Sequence, residues 1–82
     1  MTRHRLNIRD EPVEGTPSLT EDDDPILAPA EHPDMGPGWK LDYLHVSGEV
    51  RSFHIPATAA HDAAGAEVLA RQHLNRTGGK GW

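Results

Sequence analysis

The distribution of proline is the feature that most constrains this chain. Six of its seven prolines precede Trp39, and the sequence changes character at Pro37-Gly38-Trp39. Each proline removes a backbone donor and excludes the residue before it from the helical region, so helix is repeatedly interrupted before this break. The larger apolar residues there follow neither a helical nor a strand period. Residues 1–38 therefore favour an extended or disordered arm, and residues 39–76 are expected to form the folded module.

Charge divides the chain at the same place. Residues 1–38 carry three arginines and nine carboxylates, a net charge of −6, whereas residues 39–82 carry five cations and four carboxylates. Like charges on an arm repel one another and keep it solvated. The excess acid therefore belongs to the arm, and the module is close to neutral.

Residues 39–55 show the clearest local pattern, two runs of alternating apolar and polar residues around Val46-Ser47-Gly48. A three-residue loop with Gly48 at positive φ gives these cross-strand pairs: His45 with Glu49, Tyr43 with Arg51, Leu41 with Phe53 and Trp39 with Ile55. A two-residue loop would divide the large apolar side chains between the two faces. The sequence thus predicts a hairpin with the odd-length loop.

An alanine-rich segment after Pro56 is typical of a helix, with Thr58 as the predicted N-cap and Gly78-Gly79 just beyond its end. Its small and apolar side chains share one side: Ala59, Ala63, Ala66, Leu69, Ala70 and Leu74. The predicted fold is α+β, a small β-β-α unit in which one C-terminal helix packs on a hairpin. A long, irregular acidic arm precedes it, and residues 77–82 form a flexible glycine-rich tail.

No pattern indicates catalysis, a cofactor or a metal site. The chain has six histidines, but no two have the i, i+3 or i, i+4 spacing that brings two imidazoles to one ion, and it has no cysteine. A hairpin with one helix also offers no enclosed cleft of the size that ligand sites usually have. We expect a non-enzymatic protein without a cofactor.

The module has few large apolar residues, and domains of this size without disulfides or metal often depend on association. We therefore expect docking on a larger protein or homo-oligomeric assembly, such as a phage particle, with the arm extended over the partner. The candidate contact residues are Arg3, Arg5, Leu6, Ile8, Arg9, Ile26, Leu27, Leu44, Val46, Val50 and Trp82.

These contact residues fall into four groups. Leu6-Asn7-Ile8 lies in a basic patch and could add as a strand to a partner's sheet. Asp22-Asp23-Asp24-Pro25-Ile26-Leu27 has the composition of an acidic docking peptide. Three aliphatic residues lie near the hairpin tip, and Trp82 ends the chain. The alternatives are a solubilising tail, ordinary surface scatter at the tip and a tryptophan that folds back or extends into solvent.

Nucleic-acid binding is the alternative function, a small regulator using Arg3, Arg5, Arg9 and Lys40. The strand-strand-helix order resembles, in topology, the second half of a double-stranded-RNA-binding domain. His61-Asp62 stands where that family places a lysine cluster, and the first strand and helix of the family have no counterpart in the predicted elements. With a pI of 5.6, general duplex binding is disfavoured.

The sequence gives no recognisable secretion signal and no apolar run of membrane-spanning length. The absence of cysteine is compatible with a reducing compartment. We expect a cytoplasmic location or one within a phage particle, and no membrane partner.

Overall fold

A computed structural model describes residues 5–79 and 82 of the chain. Its elements are β1 (Asn7–Ile8), β2 (Ile26–His32), β3 (Gly36–Leu44), β4 (Val50–Pro56) and α1 (Ala63–Thr77). The strands form one sheet in the order β1-β2-β3-β4, in which β1 is parallel to β2 and the other pairs are antiparallel. The fold is therefore a small α+β unit with one C-terminal helix, which confirms the predicted class and adds two strands to it.

The β3–β4 hairpin has the predicted register. Three of its cross-strand pairs are Trp39 with Ile55, Leu41 with Phe53 and Tyr43 with Arg51. The His45 N–H donates to the Glu49 carbonyl at 2.8 Å, and Gly48 takes a φ of 93°. The odd-length loop is confirmed, because this register collects the large apolar side chains on one face.

The sheet crosses the expected boundary between arm and module. β3 begins at Gly36, and β2 pairs with it along its whole length although β2 lies in the predicted arm. Pro29 does not interrupt this pairing, because the alternating ladder places its nitrogen on the side of β2 away from β3. Within the described part of the predicted arm, the long stretch without a helix or strand is residues 9–25.

Gly38 marks a point of close strand packing. A Cβ at this position would overlap the Ile55 carbonyl oxygen and lie 2.9 Å from the Pro56 Cα. The backbone of β4 therefore occupies the space that any side chain would need. The predicted break at Pro37-Gly38-Trp39 lies inside a strand.

Helix α1 covers one face of the sheet with small residues. The buried core consists of Leu27, Leu41, Tyr43, Ile55, Ala60, Ala66, Ala70 and Leu74. Ala59 and Ala63, predicted to share the buried side, are exposed; Ala59 precedes the helix and Ala63 is its first residue. Asp62, and not Thr58, is the N-cap, and its carboxylate accepts the Gly65 N–H at 2.8 Å. Gly78 ends the helix in the left-handed conformation, near the predicted end.

Candidate functional site

The N-terminal strand adds to this chain's own sheet. The Asn7 N–H donates to the Pro25 carbonyl at 2.7 Å, and the Arg9 N–H donates to the Leu27 carbonyl at 2.8 Å. Leu6 packs against the core, whereas Ile8 is 42% exposed. The strand pairing predicted for a partner is therefore made within the chain.

Two apolar candidates are unavailable to a partner. Ile26 is 7% exposed and Leu27 is fully buried, because both lie in β2 between two other strands. Only the apolar end of the predicted acidic docking peptide lies in this strand, because its three aspartates and Pro25 precede β2. Of the basic candidates, Arg5 and Arg9 are exposed, and Arg3 lies outside the described residues.

Lys40 holds the arm against the second face of the sheet, the face opposite α1. Its ammonium donates to the carbonyls of Val13, at 3.4 Å, and Gly15, at 3.0 Å. It also lies 3.6 Å from the carboxylate of Asp42, which is fully buried and accepts a hydrogen bond from the Ser52 hydroxyl. We call this arrangement the Lys40 clamp. The arm therefore lies over its own sheet, and Lys40 is engaged there instead of being available to a phosphate.

β2 adds a third antiparallel strand to the strand-strand-helix order predicted from the sequence. The start of α1 carries the anionic cap Asp62 and no lysine cluster. This region therefore lacks the cation-rich helix N-terminus that binding of a nucleic-acid duplex would need.

The hairpin tip packs against the end of the helix. Leu44 and Val50 are half-buried, and Val46 is 57% exposed. The Val46 N–H donates to the Gly78 carbonyl at 3.2 Å. The three aliphatic candidates therefore form no continuous exposed patch.

Trp82 folds back onto the module. It is half-buried and packs against the core, and its backbone N–H donates to the Gly79 carbonyl at 2.9 Å. The Arg71 guanidinium lies 5.5 Å from the centre of its ring. Of the alternatives considered for Trp82, these contacts favour the one in which it folds back on its own chain.

The long exposed edge of the sheet is β4, which has only β3 as a neighbouring strand within residues 5–79 and 82. Because His45 and Glu49 share a hydrogen bond, the alternating ladder directs the backbone groups of Arg51, Phe53 and Ile55 toward β3. The N–H and C=O groups of the residues between them point outward. Val50, Ser52 and His54 therefore present an unpaired backbone edge.

A groove of 240 Å³ runs beside this edge, between β4 and α1. We call it the β4 groove. Its apolar walls come from Phe53, Ile55, Ala59 and Leu69. Its polar rim comes from helix residues Gln72, His73 and Arg76. No carboxylate is among the described residues that line it.

His73 packs against the Phe53 wall of the β4 groove. Its ring stacks on Phe53 with 3.8 Å between the ring centres and 7° between the planes. Its Nε2 lies 3.1 Å from the Tyr43 hydroxyl. Burial lowers the pKa of His73, and the nearby positive charge of Arg76 lowers it further. The imidazole is therefore predominantly neutral near pH 7.

His54 points to the second face, where its ring centre lies 5.0 Å from that of His32. Burial lowers the pKa of His54, and the neighbouring His32 adds to this effect. The His32 Nδ1 accepts the backbone N–H groups of Asp34 and Met35, so this histidine stabilises the β2–β3 turn. Within the part of the chain that the structure describes, no cluster of three or more histidine or acidic side chains could hold a metal ion.

Sequence reasoning identified β4 but not its open edge. Strand order cannot be read from a local pattern, and the added strands β1 and β2 join the sheet on the side away from β4. The only sequence signal is that α1 follows β4 directly, so no later strand of the described chain can cover it.

Comparison with protein-family models, curated proteins and solved structures gives no match. Over the described ranges, no helix has both the length and the apolar character to cross a bilayer. The functional argument therefore rests on the geometry of the β4 edge and the β4 groove.

Proposed function

We propose that this chain is a non-enzymatic accessory protein that docks on a partner protein by accepting an extended segment of that partner along β4. The observation that carries this proposal is the unpaired backbone of Val50, Ser52 and His54 on a strand of seven residues. An open strand edge is a template for a further strand, because its N–H and C=O groups have no other protein partner.

The two edges of the sheet differ in a way that supports this site. At the opposite edge, β1 has only two residues, and the arm continues from it onto the second face. Short edge strands and covering segments are common protections against unwanted pairing. β4 is longer, carries one formal charge at Arg51, and has an apolar groove beside it. The protected edge and the open edge thus have different roles.

Selection from a random peptide library on the purified full chain tests the proposal. We expect the selected peptides to shift the amide resonances of residues 50–55 and to slow amide exchange at Ser52 and His54. Because amide exchange is measured on the wild-type chain, this result does not depend on any substitution. Selected peptides that shift only residues outside β4 and α1 would contradict the proposal.

The variant Val50→Pro provides the second measurement. Proline at position 50 removes a backbone N–H that points away from β3, at the first position of the strand. The hydrogen bonds between β3 and β4 are therefore preserved. We expect the melting temperature to change little and peptide affinity to fall about tenfold, the effect of roughly one hydrogen bond and the local contacts that depend on it. Equal affinity for a folded Val50→Pro chain would argue against strand addition.

A further inference from the structure

The β4 groove has the chemistry to select among extended segments. A strand that pairs with β4 alternates its side chains between the two faces, so every second side chain lies over the groove on the α1 side. There it meets the apolar walls of Phe53 and Leu69. The groove is open along the strand, so it fits one apolar side chain without enclosing a whole ligand.

The charge at the rim comes from Arg76. This residue is exposed, and its guanidinium has no carboxylate partner among the described residues. Arg71, five residues earlier, differs because it forms an ion pair of 2.9 Å with Glu67. The Arg76 charge also acts on the neutral ring of His73. Among the described residues, the groove thus presents one uncompensated cation beside an apolar surface and no acid.

We infer that the β4 groove binds an extended acidic segment of a partner protein, with an apolar side chain between Phe53 and Leu69 and a carboxylate on Arg76. This inference rests on the proposed strand addition at β4. Arg76 supplies a planar pair of donors that matches a carboxylate, which is the pairing favoured where geometry must be specific.

A second copy of this chain fits the groove less well. A copy that paired through its own β4 would bring Arg51, Phe53 and Ile55 onto the groove side. This set contains a cation and no carboxylate, so it would place Arg51 in a groove that already contains the unpaired Arg76 charge. Charge complementarity therefore favours an acidic segment over self-pairing.

The test is to repeat the peptide selection on three purified chains: wild type, Arg76→Gln and the matched control Arg71→Gln. Both substitutions remove one charge from α1, but only Arg76 lines the groove. We expect peptides selected on the wild type to be enriched in aspartate or glutamate beside an apolar residue. The enrichment should persist with Arg71→Gln and disappear with Arg76→Gln.

Affinity measurements extend the test. An acidic peptide selected on the wild type should bind Arg76→Gln about three- to fivefold more weakly, the effect of an exposed ion pair. Its binding to the wild type should also weaken in about 0.5 M sodium chloride, because salt screens such a pair.

The outcomes distinguish the two proposals. Selected peptides that bind along β4 without acidic enrichment would overturn the acidic specificity and leave strand addition intact. An identical acidic enrichment on Arg76→Gln would also overturn the assignment to Arg76. Peptides that do not contact β4 would overturn both proposals. A concentration-dependent dimer that protects the Ser52 amide without peptide would show that a second copy occupies the edge.

Discussion

The two faces of the sheet are covered by different means. On the first face, α1 packs small side chains such as Ala66 and Ala70 against the apolar residues of the sheet. On the second face, the arm is held by the Lys40 clamp, in which a cation bonds backbone carbonyls above the buried Asp42. An apolar cover leaves a periodic pattern in the sequence, whereas a cover held through backbone carbonyls leaves none.

The largest expected effect on stability distinguishes α1, which covers the first face, from the arm, which covers the second. Leu74→Ala removes a fully buried side chain of α1 and should lower the free energy of unfolding by about 2–5 kcal/mol. Leu19→Ala, at a half-buried position of the arm, should lower it by less than about 1 kcal/mol. Urea denaturation of both variants measures the difference. Equal losses would mean that the arm contributes as much apolar packing as the helix.

The Lys40 clamp is tested by Lys40→Met. This change preserves the length of the side chain but leaves Asp42 buried without a cation, at a cost of about 2–4 kcal/mol. Arg51→Met is the control, because the Arg51 ion pair with Glu49 is exposed and its loss should change stability by less than about 1 kcal/mol. Limited proteolysis should cut Lys40→Met within residues 9–25 first. Unchanged resistance there would show that Lys40 does not hold the arm.

A smaller effect on stability is expected at the N-terminus of α1. Asp62→Ala removes the N-cap of α1 and should cost about 1 kcal/mol. Thr58→Ala, at the position predicted from sequence, should leave the thermal midpoint nearly unchanged because Thr58 is exposed and precedes the helix. A larger loss from Thr58→Ala than from Asp62→Ala would contradict the observed cap.

The smallest effect is a dependence of stability on pH that involves both faces. His73 is a residue of α1 whose ring stacks on Phe53 of the sheet, and His54 lies on the second face. Burial lowers the pKa of each below 6.5. The unfolded chain then binds protons more readily than the folded chain, so stability is full above pH 6.5 and falls as the pH drops toward the folded pKa values.

Thermal melts between about pH 7.5 and pH 5.5 measure this loss mostly above the range in which ordinary carboxylates titrate. The decrease in melting temperature should be smaller in His73→Gln and in His54→Gln than in the wild type. A decrease of the same size in all three chains would assign the pH dependence to other groups.

The module from Trp39 onward could be predicted because its signals are local. The alternation around Gly48 set the hairpin register, and Gly78 marked the helix end. The predicted boundary at Pro37-Gly38-Trp39 left β2 outside the module, because the prolines were interpreted as interruptions of helix in an extended or disordered arm. Pro29 is compatible with β2, since its nitrogen points away from β3, and Gly38 permits close packing of β4.

The candidate site was harder to predict than the fold. An unpaired edge such as that of β4 depends on which strands lie beside it, and this information is not contained in the residues of the edge itself. The groove requires Leu69 and Arg76 of α1 to lie beside Phe53, which depends on the packing of helix on sheet. Such contacts between distant positions leave no short motif.

The parallel pairing of β1 with β2 has a consequence for the order of folding. β2, β3, β4 and α1 follow one another through the short connections 33–35, 45–49 and 57–62, whereas β1 reaches β2 only across residues 9–25. Short connections close at a lower entropy cost and form early, and a long connection closes later. We expect the antiparallel strands and the helix to assemble first. β1, which is synthesised before the other elements of the sheet, would then be the last of them to reach its native position.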